Sequence, residues 1–134
     1  MPLAGRRAVL VVEDDPDARE VLELLLARRG HEVQAVATGE EGLELLRERA
    51  FDAVLTDQNL PGMSGTEMLD EAFAAHLVAR DRVLICTAAH RVDGRGVPVM
   101  TKPIDVEAVA RFVDGRRLHP ELDRPTRSGA YPQR

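Results

Sequence analysis

Short apolar runs recur along the chain, and this recurrence limits the fold more than any other feature. The first run, AVLVV at residues 8–12, is rich in β-branched side chains and contains no polar position. Continuous apolar runs of this length are typical of parallel strands that are buried on both faces. Similar runs predict four further strands, over residues 33–37, 53–56, 83–87 and 97–102.

Amphipathic stretches separate these runs and predict four helices. Asp15 caps the first helix and Gly30 ends it, while the second runs from the cap Thr38 to about Arg49. The third helix begins at about residue 65, and the last follows the cap Asp105. The apolar side chains predicted to face the core are Ala18, Val21, Leu22, Leu25 and Leu26 in the first helix, Leu43, Leu45 and Leu46 in the second, Met68, Leu69, Ala72 and Phe73 in the third, and Val106, Val109, Phe112 and Val113 in the last.

The alternation of strands and helices with short connections predicts a parallel sheet covered on both faces. Five strands in 134 residues fit a flavodoxin-like, doubly wound α/β fold with strand order 2-1-3-4-5. We expect a single domain over residues 7–115, because the chain is too short to build two cores. Residues 1–6 are then an N-terminal extension, and residues 116–134 a polar, flexible C-terminal tail.

The connection between the last two strands is unusual for such a fold. Residues 88–98 are too few for two linkers and a full helix, and Gly94, Gly96 and Pro98 disfavour a helix further. We expect the fourth helix of the fold to be missing or strongly shortened, with residues 88–96 mobile because they offer little to bury. Without this helix, the apolar faces of strand four need another cover, either the third helix, the loop itself or a partner protein.

Composition excludes several classes of protein. A net charge of -5 does not suit a nucleic-acid-binding protein, which would present a basic face. The apolar runs are too short to cross a bilayer, and the first residues lack the apolar region of a secretory signal. Cys86 is the single cysteine, so no internal disulfide can form. We therefore expect a cytoplasmic protein that binds neither nucleic acid nor membrane.

Polar side chains follow the predicted strands where each strand ends. Glu13 and Asp14 follow the first strand, Asp57 the third and Thr87 the fourth, and Lys102 closes the fifth. In a doubly wound sheet these ends form the ligand-binding rim. Two carboxylates about 4 Å apart repel by roughly 4 kcal/mol at an effective dielectric constant near 20, so three of them favour a cation such as Mg²⁺. A carboxylate held there is also a potential nucleophile toward phosphorus.

These residues carry a resemblance to the receiver domain of two-component response regulators. The matching motifs are VVEDDP at 11–16, LTD at 55–57, PGMSG at 61–65, TA at 87–88 and KP at 102–103. The resemblance implies that Asp57 is the phosphoacceptor. It further implies that Glu13, Asp14, Asp57 and the backbone carbonyl of Asn59 bind Mg²⁺ or Mn²⁺, that Thr87, Ala88 and Lys102 contact the phosphate, and that the peptide bond before Pro103 is cis. We expect Asp15 to be a helix cap instead of a third metal ligand.

The resemblance has one further departure at Val99, where receivers often carry an aromatic residue that moves with the threonine. We expect the phosphorylation chemistry to be intact and the signalling output to be altered. The resulting hypothesis is a stand-alone, chemotaxis-type receiver phosphorylated by a histidine kinase or a histidine phosphotransfer protein. It would act through an unknown downstream protein or a homodimer, and its only chemistry would be self-phosphorylation and autodephosphorylation. The alternatives are a phosphate-independent scaffold and a haloacid-dehalogenase-like phosphatase, although Gln58 and Asn59 leave the latter without its second acid.

Overall fold

The computed structural model describes residues 6–88 and 92–115. The predictions for the N-terminal extension, apart from Arg6, for the C-terminal tail and for residues 89–91 lie outside the described residues. The elements are β1 (Ala8–Val12), α1 (Pro16–Arg28), β2 (Glu32–Val36), α2 (Gly39–Glu48), β3 (Ala53–Thr56), α3 (Gly65–Ala74), a 3₁₀ turn (Arg80–Arg82), β4 (Val83–Thr87), β5 (Val99–Thr101) and α4 (Val106–Val113).

The five strands form one parallel sheet in the order β2-β1-β3-β4-β5, which confirms the predicted flavodoxin-like, doubly wound topology. β1 lies in the interior of the sheet, where Val9 is in register with Val33 of β2 and with Ala53 of β3. Because all strands run the same way, their carboxyl ends share one rim. That rim receives the segments that follow β1, β3, β4 and β5.

Alternate residues of each central strand enter two separate apolar layers. Leu10, Val12 and Val54 pack with α2 and α3 on one face, and Val9, Val11 and Leu55 pack with α1 and α4 on the other. The burial of both faces explains why the strands read as unbroken apolar runs. Within the described ranges, no helix is long and apolar enough to cross a membrane.

The helices begin where the sequence places capping side chains. Asp15 accepts a hydrogen bond from the Asp17 N–H, Thr38 from Glu41 and Asp105 from Glu107 and Ala108. At α3, Ser64 and Glu67 form a reciprocal capping box, in which each side chain accepts from the backbone N–H of the other residue.

The connection between β4 and β5 contains no helix in its described part, residue 88 and residues 92–98, which confirms the prediction that the fourth helix is missing or strongly shortened. Instead, the Val97 N–H donates to the Gly94 carbonyl across a tight turn. Arg95 and Gly96, the central residues of this turn, both have positive φ angles, of 60° and 86°. Positive φ angles at both central residues are characteristic of a type I′ β-turn.

The loop itself supplies the apolar cover that the missing helix would have given. Val97 is fully buried against the β4 face, and Val92 packs on the same apolar layer together with Phe73. Arg95 also binds Asp70 of α3 through two hydrogen bonds, of 2.7 and 3.0 Å. Within the segment predicted to be mobile, residues 88–96, Val92 and Arg95 thus make contacts, and the buried Val97 follows directly after it. The mobility of residues 88–96 stays a prediction, and residues 89–91 lie outside the described part.

Two residues predicted to face the core are exposed. Val21 is 56% exposed because it lies about one residue step, roughly 100° on a helix, from the stripe centred on Leu22 and Leu26. Val106 is 46% exposed although it is in phase with Val109. Helical side chains lean toward the N-terminus, so a first-position side chain extends past the end of its helix.

Two predicted strand ranges are also corrected. β5 is shorter than the predicted 97–102 because Pro98 has no N–H, although its carbonyl still accepts from Ile85 N–H at 3.1 Å. β2 covers 32–36 instead of 33–37, because its register with β1 pairs Glu32 with Ala8 and Val36 with Val12.

Candidate functional site

Three carboxylates meet at the rim where β1 and β3 end. Glu13 and Asp14 follow β1 directly, and Asp57 follows β3, with its backbone N–H donating to the Val12 carbonyl at 3.0 Å. Each residue places one carboxylate oxygen so that the three oxygens lie within 4.8 Å of one another. Glu13 and Asp57 are buried, with 3% and 7% of their surface exposed, and Asp14 is open to solvent.

Lys102 bridges the two buried carboxylates. Its Nζ donates to Glu13 Oε1 and to Asp57 Oδ2, both at 2.9 Å. A backbone hydrogen bond fixes the position of the Lys102 main chain, because its N–H donates to the Thr87 carbonyl at 2.8 Å. This bond extends the β4–β5 ladder by one residue. The Lys102–Pro103 peptide bond is cis.

Burial and ion pairing oppose each other in this cluster. Burial raises the pKa of Glu13, and it outweighs the hydrogen bond from Lys102, which acts in the lowering direction. For Lys102 the balance is reversed. Burial lowers the lysine pKa, but the hydrogen bonds to Glu13 and Asp57 outweigh it, and the net pKa lies above the ordinary value. The raised pKa keeps the Lys102 ammonium group charged at neutral pH, next to the carboxyl groups of Glu13 and Asp57.

The donor set fits a small, hard cation. All three clustered ligands offer carboxylate oxygens, one of them from a solvent-exposed residue, and Mg²⁺ prefers oxygen ligands and retains several waters. Asn59, whose backbone carbonyl is the fourth predicted ligand, is held near Asp57, because its N–H donates to Asp57 Oδ1 at 3.2 Å. The residues at this rim are thus suited to Mg²⁺ or Mn²⁺.

The remaining predicted residues lie around the cluster. Thr87 is the last residue of β4 and is fully buried, and Ala88 next to it is exposed at the rim. Asp15 caps α1, and its N–H donates to Glu13 Oε2 at 3.2 Å; it is not one of the three clustered acids.

The altered position Val99 is buried in the same apolar layer as Val97 and Ile85. Its side chain therefore belongs to the packing that covers β4. Cys86 packs on the opposite face, and burial raises the pKa of its thiol to about 12, so it is an unreactive core residue.

Sequence analysis missed three residues that hold the site's backbone. Arg19 of α1 donates from Nη1 to the Glu13 carbonyl at 2.8 Å. Gln58 binds Thr66 in the first turn of α3: its Nε2 donates to Thr66 Oγ1 at 3.0 Å, and its Oε1 accepts from the Thr66 N–H at 2.9 Å. Arg19 lies one helical turn beyond the cap Asp15, and that spacing was an available signal. The spacing between Gln58 and Thr66 depends on a loop conformation that no short pattern encodes.

Comparison with known proteins places this arrangement in a family. Residues 9–111 match the response regulator receiver domain, so the chain belongs to that family. It is 34% identical over 122 residues to the transcriptional regulatory protein AfsQ1 of Streptomyces coelicolor, a match covering 91% of this chain and 52% of that protein. It is also 37% identical to the response regulator protein FleR of Pseudomonas aeruginosa, covering 87% of this chain and 27% of that protein. The chain thus spans about half or less of these relatives.

Solved structures agree on the fold. The receiver domain of the hybrid histidine kinase CckA is 32% identical, with a TM-score of 0.69 over 81% of this chain and 96% of that one. The receiver domain of the sensor histidine kinase PA1611 of Pseudomonas aeruginosa is 26% identical, with a TM-score of 0.73 over 82% and 96%, and it was solved with magnesium in its active-site cleft. The chain is therefore a signalling module of the two-component type, and the phosphatase alternative has no support from these matches.

Proposed function

We propose that residues 7–115 form a receiver that accepts a phosphoryl group on Asp57 from a histidine kinase or a histidine phosphotransfer protein. One observation carries this proposal. Asp57 is buried at the rim, with one carboxylate oxygen within 4.8 Å of an oxygen of Glu13 and of Asp14, and Lys102 Nζ lies 2.9 Å from its Oδ2. A lone buried carboxylate is costly, and this one is held next to a charged ammonium group and in reach of a metal site.

The chemistry follows from the carboxylate. A carboxylate oxygen of Asp57 attacks the phosphorus of a phosphohistidine, an O–P bond forms, and the P–N bond breaks with its electron pair leaving on the imidazole nitrogen. Lys102, which already donates to Asp57 Oδ2, remains beside the transferred group and neutralises part of its charge. Glu13, Asp14, Asp57 and the Asn59 carbonyl would hold Mg²⁺, which supplies positive charge for the phosphoryl oxygens when bound.

Thr87 and Ala88 complete the proposed phosphate site. Thr87 is the last residue of β4 and Ala88 follows it. They lie next to the end of β3, which Asp57 follows, because β3 and β4 pair in parallel. The Thr87 hydroxyl and the Ala88 backbone N–H are the donors suited to the phosphoryl oxygens after transfer. Thr87 also begins the connection to β5, so a phosphate bound there would lie at the start of the segment where a fourth helix was predicted to be missing or shortened.

A phosphate-independent scaffold is the second candidate, and Val99 is the observation that favours it. The side chain at this position is buried in the layer that covers β4, where the loop replaces a helix. A switch that depends on an aromatic side chain moving at this position is absent. This candidate keeps the fold and the partner surface but predicts partner binding that does not change with phosphorylation of Asp57.

Incubation with acetyl phosphate tests the first candidate, in which Asp57 is the phosphoacceptor. We expect the intact mass to rise by one phosphoryl group in the presence of Mg²⁺ and not after removal of the metal by a chelator. Asp57→Asn keeps the shape of the side chain but removes the nucleophile, and we expect it to gain no phosphate. A variant Asp57→Asn that still gained one phosphate at the same site would show that Asp57 is not the acceptor.

A further inference from the structure

Gln58, the residue after the proposed phosphoacceptor, makes contacts that the chemistry above does not use. Its side-chain Nε2 donates to Thr66 Oγ1 at 3.0 Å, and its Oε1 accepts from the Thr66 N–H at 2.9 Å. Its backbone carbonyl also accepts from the Gly65 N–H at 3.0 Å. Gln58 thus binds two consecutive residues of α3 with three hydrogen bonds.

These bonds take over much of the capping of α3. The first N–H groups of a helix have no partner within the helix and need one from outside. Here Gln58 satisfies those of Gly65 and Thr66, while Ser64 Oγ accepts from Glu67 at 3.1 Å. At α2, by contrast, the cap Thr38 lies next to the helix that it caps. The capping of α3 by Gln58 ties the helix to the end of β3.

The helix and the end of β3 also touch directly. A side-chain carbon at Gly65 would collide with the Asp57 carbonyl oxygen, so only glycine allows α3 to approach this closely. The backbone of residues 57–58 therefore lies against the start of α3. The Gln58 side chain adds two hydrogen bonds to Thr66, the residue that follows Gly65.

We propose that Gln58 is a positioning residue for the metal site, acting through the backbone of residues 57–59. Asp57 and Asn59, which flank it, are two of the proposed ligands, and the Asn59 N–H donates to Asp57 Oδ1 at 3.2 Å. A backbone that is fixed between them presents the carboxylate and the carbonyl together, which lowers the ordering required when the cation binds. This inference rests on the proposed function, because it concerns the same ligands.

The test compares magnesium affinity in full-length variants by isothermal titration calorimetry with Mg²⁺ alone. Gln58→Met keeps the length of the side chain and removes both side-chain hydrogen bonds. We expect its Mg²⁺ dissociation constant to rise about 10-fold, as is typical when a residue that supports metal ligands is replaced. Thr66→Val removes the hydroxyl that accepts from Nε2 and lies 3.3 Å from Ser64 Oγ, but it keeps the N–H that donates to Gln58 Oε1, so it should show a smaller rise. Thr66→Ser keeps the hydroxyl and should bind like the parent protein.

Asp52→Ala is the matched control for stability. Asp52 accepts from the Ala8 N–H at 2.8 Å at the opposite end of the sheet, so its loss weakens the fold without touching residues 57–66. The inference predicts unchanged Mg²⁺ affinity for this variant, even at equal loss of unfolding free energy. If Gln58→Met does not fold, the Mg²⁺ affinity of Thr66→Val is compared with that of Asp52→Ala in its place.

Two results would overturn the inference. One is a Gln58→Met or a folded Thr66→Val protein that binds Mg²⁺ like the parent. The other is an Asp52→Ala protein that loses as much affinity as Gln58→Met, since the effect would then follow stability alone. Failure of the parent protein itself to bind Mg²⁺ would instead contradict the proposed function, so the two failures are distinguishable.

Discussion

The connection from β3 to α3 and the connection from β4 to β5 leave the same rim of the sheet and are both fixed to α3, but by different means. The first is held at the start of the helix by the buried or partly buried contacts of Gln58, Gly65 and Thr66. The second is held at Asp70, where both partners of the Arg95 ion pair are partly accessible to water, and by the burial of Val97. The β3–α3 connection leaves no space for the backbone of residues 57 and 65 to move closer together. The β4–β5 connection combines the buried contact of Val97 with an ion pair that costs little free energy to break.

The largest effect is expected at the first connection. Gly65→Ala places a carbon against the Asp57 carbonyl oxygen, and neither backbone segment can move without breaking the capping of α3. We expect a loss of about 3 kcal/mol in the free energy of unfolding, the upper end for overpacking in a core. Urea denaturation measures it. A loss below that of Val97→Ala would mean that this connection is the more adaptable one.

At the second connection the apolar contact should matter most. Val97 is fully buried, so Val97→Ala should cost about 2 kcal/mol in unfolding free energy, because two methyl groups leave the layer that covers β4. Amide hydrogen exchange should be slow at Val97 in the parent protein, since its N–H donates to Gly94, and should accelerate in the variant. Equal exchange in both proteins would contradict the claim that burial of Val97 fixes the loop.

The ion pair and the turn at Arg95 should contribute less, and they can be separated. Arg95→Ala loses the pair with Asp70 and keeps a side chain at φ 60°, whereas Arg95→Gly loses the same pair and relieves the backbone. We expect the glycine variant to be the more stable of the two by about 1 kcal/mol. Asp70→Asn measures the charge pair alone, at less than about 1 kcal/mol. An alanine variant as stable as the glycine variant would show that the turn stores no strain.

Asp114, which directly follows α4, supplies a reference for pH studies of both connections. It binds Arg29 at 3.1 Å and His31 at 3.0 Å. Burial raises the pKa of Asp114, but these hydrogen bonds outweigh it, and the net pKa lies below the ordinary value of 3.8. The ionised carboxylate therefore contributes stability above pH 3.8, and that contribution is lost as pH falls through the lower folded-state pKa.

The prediction is a stability difference between the parent and Asp114→Asn that is constant near neutral pH and shrinks in acid below about pH 4. Thermal denaturation at a series of pH values measures it. Arg95→Gly should leave that difference unchanged, because the two sites share no residue. A difference that grew in acid would mean that the folded-state pKa of Asp114 is raised instead.

The strands and the ligand rim were predictable because each depends on a short pattern. The apolar runs at β1, β3 and β4 have the predicted limits, since strands buried on both faces carry almost only apolar side chains, with a threonine as the last residue of β3 and of β4. Glu13, Asp14, Asp57 and Lys102 each lie directly after a strand, so knowing the strand order was enough to bring them together. The prediction of a missing or strongly shortened fourth helix followed from the length of the β4–β5 connection and from Gly94, Gly96 and Pro98 within it.

The remaining features depend on contacts that distant residues create. The exposure of Val21 depends on the centre of the α1 stripe, which no single position reveals. The pairing of Gln58 with Thr66 and of Arg95 with Asp70 depends on how loops fold back on α3. The burial of Val97 depends on the turn at Arg95 and Gly96, where a non-glycine residue adopts a conformation that its sequence does not favour.

The brevity of β5 has a consequence for the behaviour of this protein at high concentration. β5 is the last strand in the order of the sheet, it contains only residues 99–101, and Pro98 and Pro103 lie close to its two ends. Proline has no N–H, so the outer border of the sheet offers few backbone donors to an incoming strand of another chain. The β5 edge of the sheet therefore resists pairing with a strand of another chain, which is one common route to aggregation.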